Sequence, residues 1–262
     1  LFDFVQYSAG KLELFLLVMV RASGLFIVAP IFSQKAFPQP LKIGFAILLA
    51  MIVMMTLPAA DLPPSESLIA LAGVVFTELL VGVLIGFFFL LLLLAAQGAG
   101  SLVGYQVGLS LANEIDPSTQ SQSSIIGTFW FLLGSLFFLA INGHHLIIQA
   151  YHESYALIPA GQVALNGAVG EMMIKATAYL FIIALKIAAP VMVTLFLVDV
   201  ALGTVAKMMP TMNVFFVGFP VKIGVGLAVI GLSLPIFTYV LQKSLTYLNN
   251  ELGYVLAALA KA

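Results

Sequence analysis

The sequence predicts an all-α, polytopic membrane protein of about six long, partly broken hydrophobic helices arranged as hairpins. Three observations predict it. Of 262 residues, 62% are hydrophobic and 8% are charged, whereas a soluble domain is about 45–50% apolar and about 25% charged. The mean hydropathy is +1.16. Apolar runs of the length that crosses a ~30 Å hydrocarbon core, about 20 residues, recur along the whole chain.

The same composition excludes several classes. So much apolar surface has no water-compatible burial in a soluble enzyme of this length. Lys+Arg 10 against Asp+Glu 11 leaves a net charge of −1, which excludes a basic nucleic-acid binder and an acidic disordered tail. There are no cysteines, hence no disulfide framework, thiolate metal site or cysteine nucleophile.

The apolar runs fall at 12–32, 41–59, 68–104, 124–142, 172–206 and 213–241. Six spans is the simplest count. The chain opens Leu1-Phe2-Asp3-Phe4 with no base before Lys11, which reads as no cleavable signal. The run from Leu68 to Gly104 carries Glu78 as its single charge. As one helix it is ~55 Å long at 1.5 Å per residue, so it must tilt, break or project beyond the bilayer. Pro30, Pro38 and Pro40 mark the first connection, and Pro58, Pro63 and Pro64 the second. Asp116-Pro117-Ser118-Thr119 is a turn signal in the third, and Pro210 sits in a tight connection between the last two runs. Residues 143–171 read as a long loop without Lys or Arg, and 242–262 as a short amphipathic helix. The lysine-free loop tips the positive-inside tally toward a cytoplasmic side for the Lys35 and Lys207 loops.

Function must be read from the few polar residues. Gly82 and Gly86 form a GxxxG pair, and Gly100, Gly104 and Gly108 recur at four-residue spacing after Ala96. Such positions share a helix face and let a second backbone approach closely. Arg21, Glu78, Lys186 and Asp199 lie inside apolar runs, and Lys42 and Lys222 near run starts. An ionised group at a bilayer centre costs ~3 kcal/mol or more, so each needs a partner, a wet cavity or the interface. Ion pairs within or between subunits are the preferred reading over a proton relay. Lys186 and Asp199, thirteen residues apart, are too distant on one helix to pair. His144, His145, His152 and Glu153 lack a zinc spacing, and read as solvated or capping groups. The stretch 105–123 is uncharged-polar with two acids and interrupts two apolar runs. It is either a surface loop or a loop lining a cavity, the only place where irregular backbone is tolerated at membrane depth. Pro40-Leu-Lys42-Ile-Gly44 also matches Pro220-Val-Lys222-Ile-Gly224 at an offset of 180.

Several of these stretches together resemble the FliR family of flagellar biosynthesis proteins, whose injectisome relatives form the T component of type III secretion. The N-terminal match is Arg21-Ala-Ser-Gly-Leu-Phe-Ile-Val-Ala-Pro30-Ile-Phe32 followed by Pro40-Leu-Lys42-Ile. The middle match is Glu78-Leu-Leu-Val-Gly82-Val-Leu-Ile-Gly86, then Gly100-Ser-Leu-Val-Gly104-Tyr-Gln106-Val-Gly108-Leu109 and Asp116-Pro117. Asn142-Gly143-His144 follows, with Ser154 and Pro159 downstream. Asp199-Val-Ala-Leu-Gly203, Pro210-Thr-Met-Asn213-Val-Phe215 and Gly218-Phe-Pro220-Val-Lys222 close the set. The matches keep family order, and Asn142-Gly143-His144 favours the flagellar branch.

The resemblance implies a non-enzymatic subunit of a helical pore assembly, the core of an export gate for unfolded flagellar proteins. FliP-type and FliQ-type subunits are its implied partners, with an FlhB-type subunit, export substrates and membrane lipid. No nucleic acid and no cofactor are implied. The implied location is the bacterial inner membrane, in the flagellar basal body. Residues 1–171 correspond to P-type helices and 172–241 to a Q-type hairpin. The loop at 105–123 corresponds to the plug of the closed pore, carried here by Gln106, Gly108, Leu109, Leu111, Asn113, Glu114, Ile115, Asp116 and Pro117. Glycines let such a loop swing, and its apolar residues seal. Lys222 and Glu78 are expected as charge partners between subunits. Two other readings stand beside this one: a secondary transporter of a small solute, with a midplane site, and the equivalent injectisome subunit.

Overall fold

The computed structural model describes residues 2–34, 37–57, 67–109, 124–164, 167–209 and 213–260. Its regular elements are helices: α1 (Phe2–Val28), α2 (Gln39–Thr56), α3 (Leu68–Val107), α4 (Ile125–Ala140), α5 (Gly143–Leu157), α6 (Gly167–Met208) and α7 (Val214–Ala260). Pro40 sits in the first turn of α2, where a missing N–H costs nothing. α3, α6 and α7 run to 40, 42 and 47 residues, roughly 60–70 Å, twice the hydrocarbon thickness. Pro190 lies inside α6, and Pro220 and Pro235 inside α7. The hydroxyls of Thr194 and Thr238 donate to the carbonyls of Pro190 and Pro235.

Among the described residues, four helices, α2, α3, α6 and Phe216–Ala260 of α7, are long and apolar enough to cross a membrane. α4 and α5 form a further, broken unit bent by 68°, with Asn142 at the joint in the left-handed region (φ 60°). The six expected spans therefore reduce to four plus a bent pair. α1 does not qualify, because any 18-residue stretch of it contains Lys11, Glu13 and either Asp3 or Arg21. Two further expectations change. Part of the stretch read as a loop after Gly143 is α5. Residues 242–260 continue α7 without a break, because Gln242, Lys243 and Glu251 lower hydropathy without lowering helix propensity much.

The chain divides into two compact units. The first comprises Leu1–Leu91, Phe138–Ala176 and Thr246–Ala262. In it α1 and α2 form an antiparallel pair, joined through Phe26, Phe32 and Phe45, with ring centroids 5.1 to 6.3 Å apart. α1 and α3 run parallel: the pairs 21/78, 24/82 and 29/86 are in contact. α5 lies along α1 with Ile147, Ala150, Tyr151, Ser154 and Tyr155 buried, and Phe138 packs edge-on to Phe89 at 6.2 Å. The end of α7 belongs to this unit, where Leu259 accepts a hydrogen bond from the Ala164 N–H.

The second unit comprises Leu92–Phe137 and Thr177–Leu245. α3 and α4 are antiparallel there, with Gly100 against Gly127 and Gly134 against Leu93 and Ala96. α6 and α7 form an antiparallel hairpin, since 202 meets 218, 199 meets 222 and 195 meets 226. Trp130 and Phe237 fill its core, with centroids 5.7 Å apart. Within the most apolar stretch of each long helix, 61% of α3 is buried, against 33% of α6 and 22% of α7. α3 is apolar on every side because it is enclosed, whereas α6 and α7 leave apolar faces for lipid or other chains.

Candidate functional site

In the first unit the site begins with three glycines. A Cβ on Gly82 would overlap the Arg21 carbonyl, and one on Gly24 the Leu79 carbonyl. A Cβ on Gly86 would lie 2.8 Å from the Ala29 nitrogen. Only glycine permits this backbone contact between α1 and α3. One turn before Gly24 stands Arg21, and one turn before Gly82 stands Glu78, so the crossing brings the two charges together.

Both are fully buried. Arg21 Nε donates to Glu78 Oε2 at 2.6 Å and Nη2 to Oε1 at 3.1 Å, a bidentate, charge-assisted pair. Nη1 donates to Ser154 Oγ at 2.8 Å, and Nη2 also to the Ile158 carbonyl at 3.2 Å. The guanidinium lies 3.8 Å from the centre of the Tyr155 ring, a cation–π geometry. Glu78 Oε1 accepts a further bond from the Gly161 N–H at 2.8 Å, and Gly161 (φ 78°) needs the left-handed conformation to offer it. Ser154 Oγ donates to the Tyr151 carbonyl and Tyr151 OH to the Val18 carbonyl, each at 2.7 Å. The pair thus ties α1, α3, α5 and the turn at 158–161 into one knot. Its residues can hold a charge pair out of water; they present no nucleophile and base to a substrate.

In the second unit the described base of the polar connection is Gln106, Gly108 and Leu109. Gln106 Nε2 donates to the Met192 carbonyl on α6 at 3.2 Å. Gly108 turns the chain at φ 92°, accessible to glycine alone without strain. Val107 is buried against Gly226 of α7, where a Cβ would lie 2.8 Å from its Cγ2. Leu111, Asn113, Glu114, Ile115, Asp116 and Pro117 lie outside the described residues. Gly100 faces α4, where a Cβ would be 2.6 Å from the Ile126 carbonyl, and Gly104 is buried.

The remaining ionisable residues separate. Lys222 Nζ meets Asp199 Oδ1 at 2.7 Å between α7 and α6, with side chains 23% and 42% exposed. Within the chain Glu78 has Arg21 as its partner and Lys222 has Asp199. Lys186 is exposed. His144 and His145 stand with ring centroids 4.3 Å apart at the start of α5, and His152 Nε2 lies 3.0 Å from Thr56 Oγ1. Tyr151, Tyr155 and Gly161 were not foreseen as part of the site. The spacing of 147, 150, 151, 154 and 155 was the available signal, a helical face on which the polar groups line up with the apolar ones.

A family model described as bacterial export proteins, family 1, matches residues 12–248. The chain belongs to that family. Its relatives carry the name flagellar biosynthetic protein FliR. The one from Bacillus subtilis (strain 168) is 41% identical over 218 residues, covering 80% of this chain and 82% of its own. That of Escherichia coli (strain K12) is 28% identical over 248 residues, covering 95% and 94%. That of Caulobacter vibrioides is 30% identical over 218 residues, covering 83% and 87%. All of the described site, from Arg21 to Lys222, falls inside the family match. Membership in the family makes the chain a component of the flagellar export apparatus, and its apolar helices make it a membrane component.

Proposed function

We propose that this chain is the FliR-type core subunit of the flagellar protein export gate, joining FliP-type and FliQ-type subunits around a pore for unfolded flagellar proteins in the inner membrane. The observation that carries the reading is the family match over residues 12–248, with FliR relatives aligned along most of their length. The role is structural and conductive, without catalysis. The half-empty faces of α6 and α7 support a chain built to be covered by others. A solute transporter of its own needs a polar site at the midplane. The fully buried polar cluster, Arg21 with Glu78, is closed by its own hydrogen bonds.

In this reading the connection after Val107 seals the pore at rest. Gln106 fastens its base to α6 through the Met192 carbonyl, and Gly108 is the pivot. A neutral hydrogen bond contributes about 1 kcal/mol net, enough to bias a gate and weak enough for a passing polypeptide to break. The test is replacement of the chromosomal gene in its own host. Loss of secreted flagellin and of filaments, restored by the wild-type chain in trans, is the expected result. Normal filaments without this chain would refute the reading.

A further inference from the structure

Lys186 occupies an unusual place on α6. Ile182, Lys186, Ala189, Val193 and Leu197 follow at steps of three and four and share one helix face. Ile182, Val193 and Leu197 are 47%, 60% and 61% exposed, and Lys186 is exposed among them. Among the described residues no carboxylate lies within ion-pair distance of it. Its Nζ stands 5.9 Å from the centre of the Tyr179 ring. The nearest charges in sequence, Lys175 and Asp199, are eleven and thirteen residues away, about 16 and 20 Å along the helix at ~1.5 Å per residue. The ammonium therefore stands in the middle of an apolar stretch rather than at its rim. A charge there demands a partner.

A second observation falls on the same residue. Pro190 is one turn further on and has no N–H, so the Lys186 carbonyl loses its helical donor. One exposed point of α6 thus presents an ammonium with no carboxylate partner among the described residues and an under-satisfied carbonyl. A lipid phosphodiester supplies acceptors only, and its level lies beyond the apolar stretch. A helix carrying an Asp or Glu, with a hydroxyl or amide donor a turn away, satisfies both groups while its apolar residues cover Ile182, Val193 and Leu197.

We propose that Lys186 is the docking point for a carboxylate borne on an apolar helix of a neighbouring subunit of the gate. The inference rests on the reading of the chain as one subunit among several. It is tested on the assembly isolated from host membranes through a tag on this chain. A carbodiimide, which joins an amine directly to a carboxylate, is applied and the linked peptides are sequenced. The expected product joins Lys186 to an Asp or Glu within an apolar segment of another integral subunit. Lys186→Met is expected to lower the recovery of that subunit at least tenfold, and Lys186→Arg to restore it without the crosslink. An intact assembly with Lys186→Met recovered within twofold of wild type, or a wild-type assembly in which Lys186 gives no such crosslink, would overturn the inference and leave the gate reading standing. So would loss of bound anionic lipid, and not of a subunit, in that variant. A wild-type chain that isolates alone would instead overturn the gate reading itself.

Discussion

Replacing Glu78 with Gln removes one charge from a fully buried ion pair. Arg21 stays fully buried and loses its counter-ion. The Gln amide offers one acceptor oxygen where the carboxylate accepted three bonds, from Arg21 Nε, Arg21 Nη2 and the Gly161 N–H. Its NH2 group then faces at least one of those donors. Leaving one member of a buried pair uncompensated costs about 3–5 kcal/mol. For a chain of this size that is a drop in Tm of roughly 6–20 °C, at about 2–4 °C per kcal/mol. The double variant Arg21→Met with Glu78→Leu discards both charges and their desolvation together, and is expected to recover most of the loss. The assay is thermal unfolding of the isolated protein in detergent, with resistance of α1 to proteolysis as a second readout. A Glu78→Gln protein melting within about 2 °C of wild type would refute the argument that the pair holds α1, α3 and α5 together.

Four further outcomes follow from the geometry. Gly82→Ala drives a Cβ into the backbone of Arg21 and is expected to destabilise by about 1–3 kcal/mol or more, whereas Gly203→Ala, with nothing within 4 Å, is expected to be neutral or stabilising by less than about 1 kcal/mol; paired melting curves decide it. Gln106→Leu removes the bond to Met192 and, at about 1 kcal/mol, should raise the resting ion leak of the assembled gate roughly fivefold, read as membrane conductance. Deleting a few residues within Gly108–Asp116 should make the leak larger still; unchanged conductance would remove the plug assignment. Lys222→Ala and Asp199→Ala are expected to give a small coupling, about 1 kcal/mol or less in a double-mutant cycle, because the pair is partly exposed.

Much of the architecture was legible because lipid-facing helices declare themselves by composition. The run from Leu68 to Gly104 lies within one helix, α3, and its length alone implied that it could not simply cross a bilayer. α5 was missed because a stretch with three histidines and a glutamate has too little apolar content to look like a span. Its helical face was present in the spacing of Ile147, Tyr151, Ser154 and Tyr155, but hydropathy does not measure spacing. Arg21 and Glu78 were legible as residues that needed partners. Which partner each takes depends on the Gly24–Gly82 contact, a tertiary fact that residue types do not encode. The same limit applied to Lys222, whose match with Asp199 depends on the antiparallel register of α6 and α7. Pro40 and Pro220, alike in sequence, differ in setting: one opens a helix and the other lies inside one.

The central claim is that this chain works as one subunit of a hetero-oligomeric export gate. Native mass spectrometry tests it most directly, on the chain co-expressed with the FliP-type and FliQ-type proteins of its own genome. A single defined complex containing one copy of this chain is the predicted result. A free monomer or a homodimer, with those partners expressed and absent from it, would contradict the account.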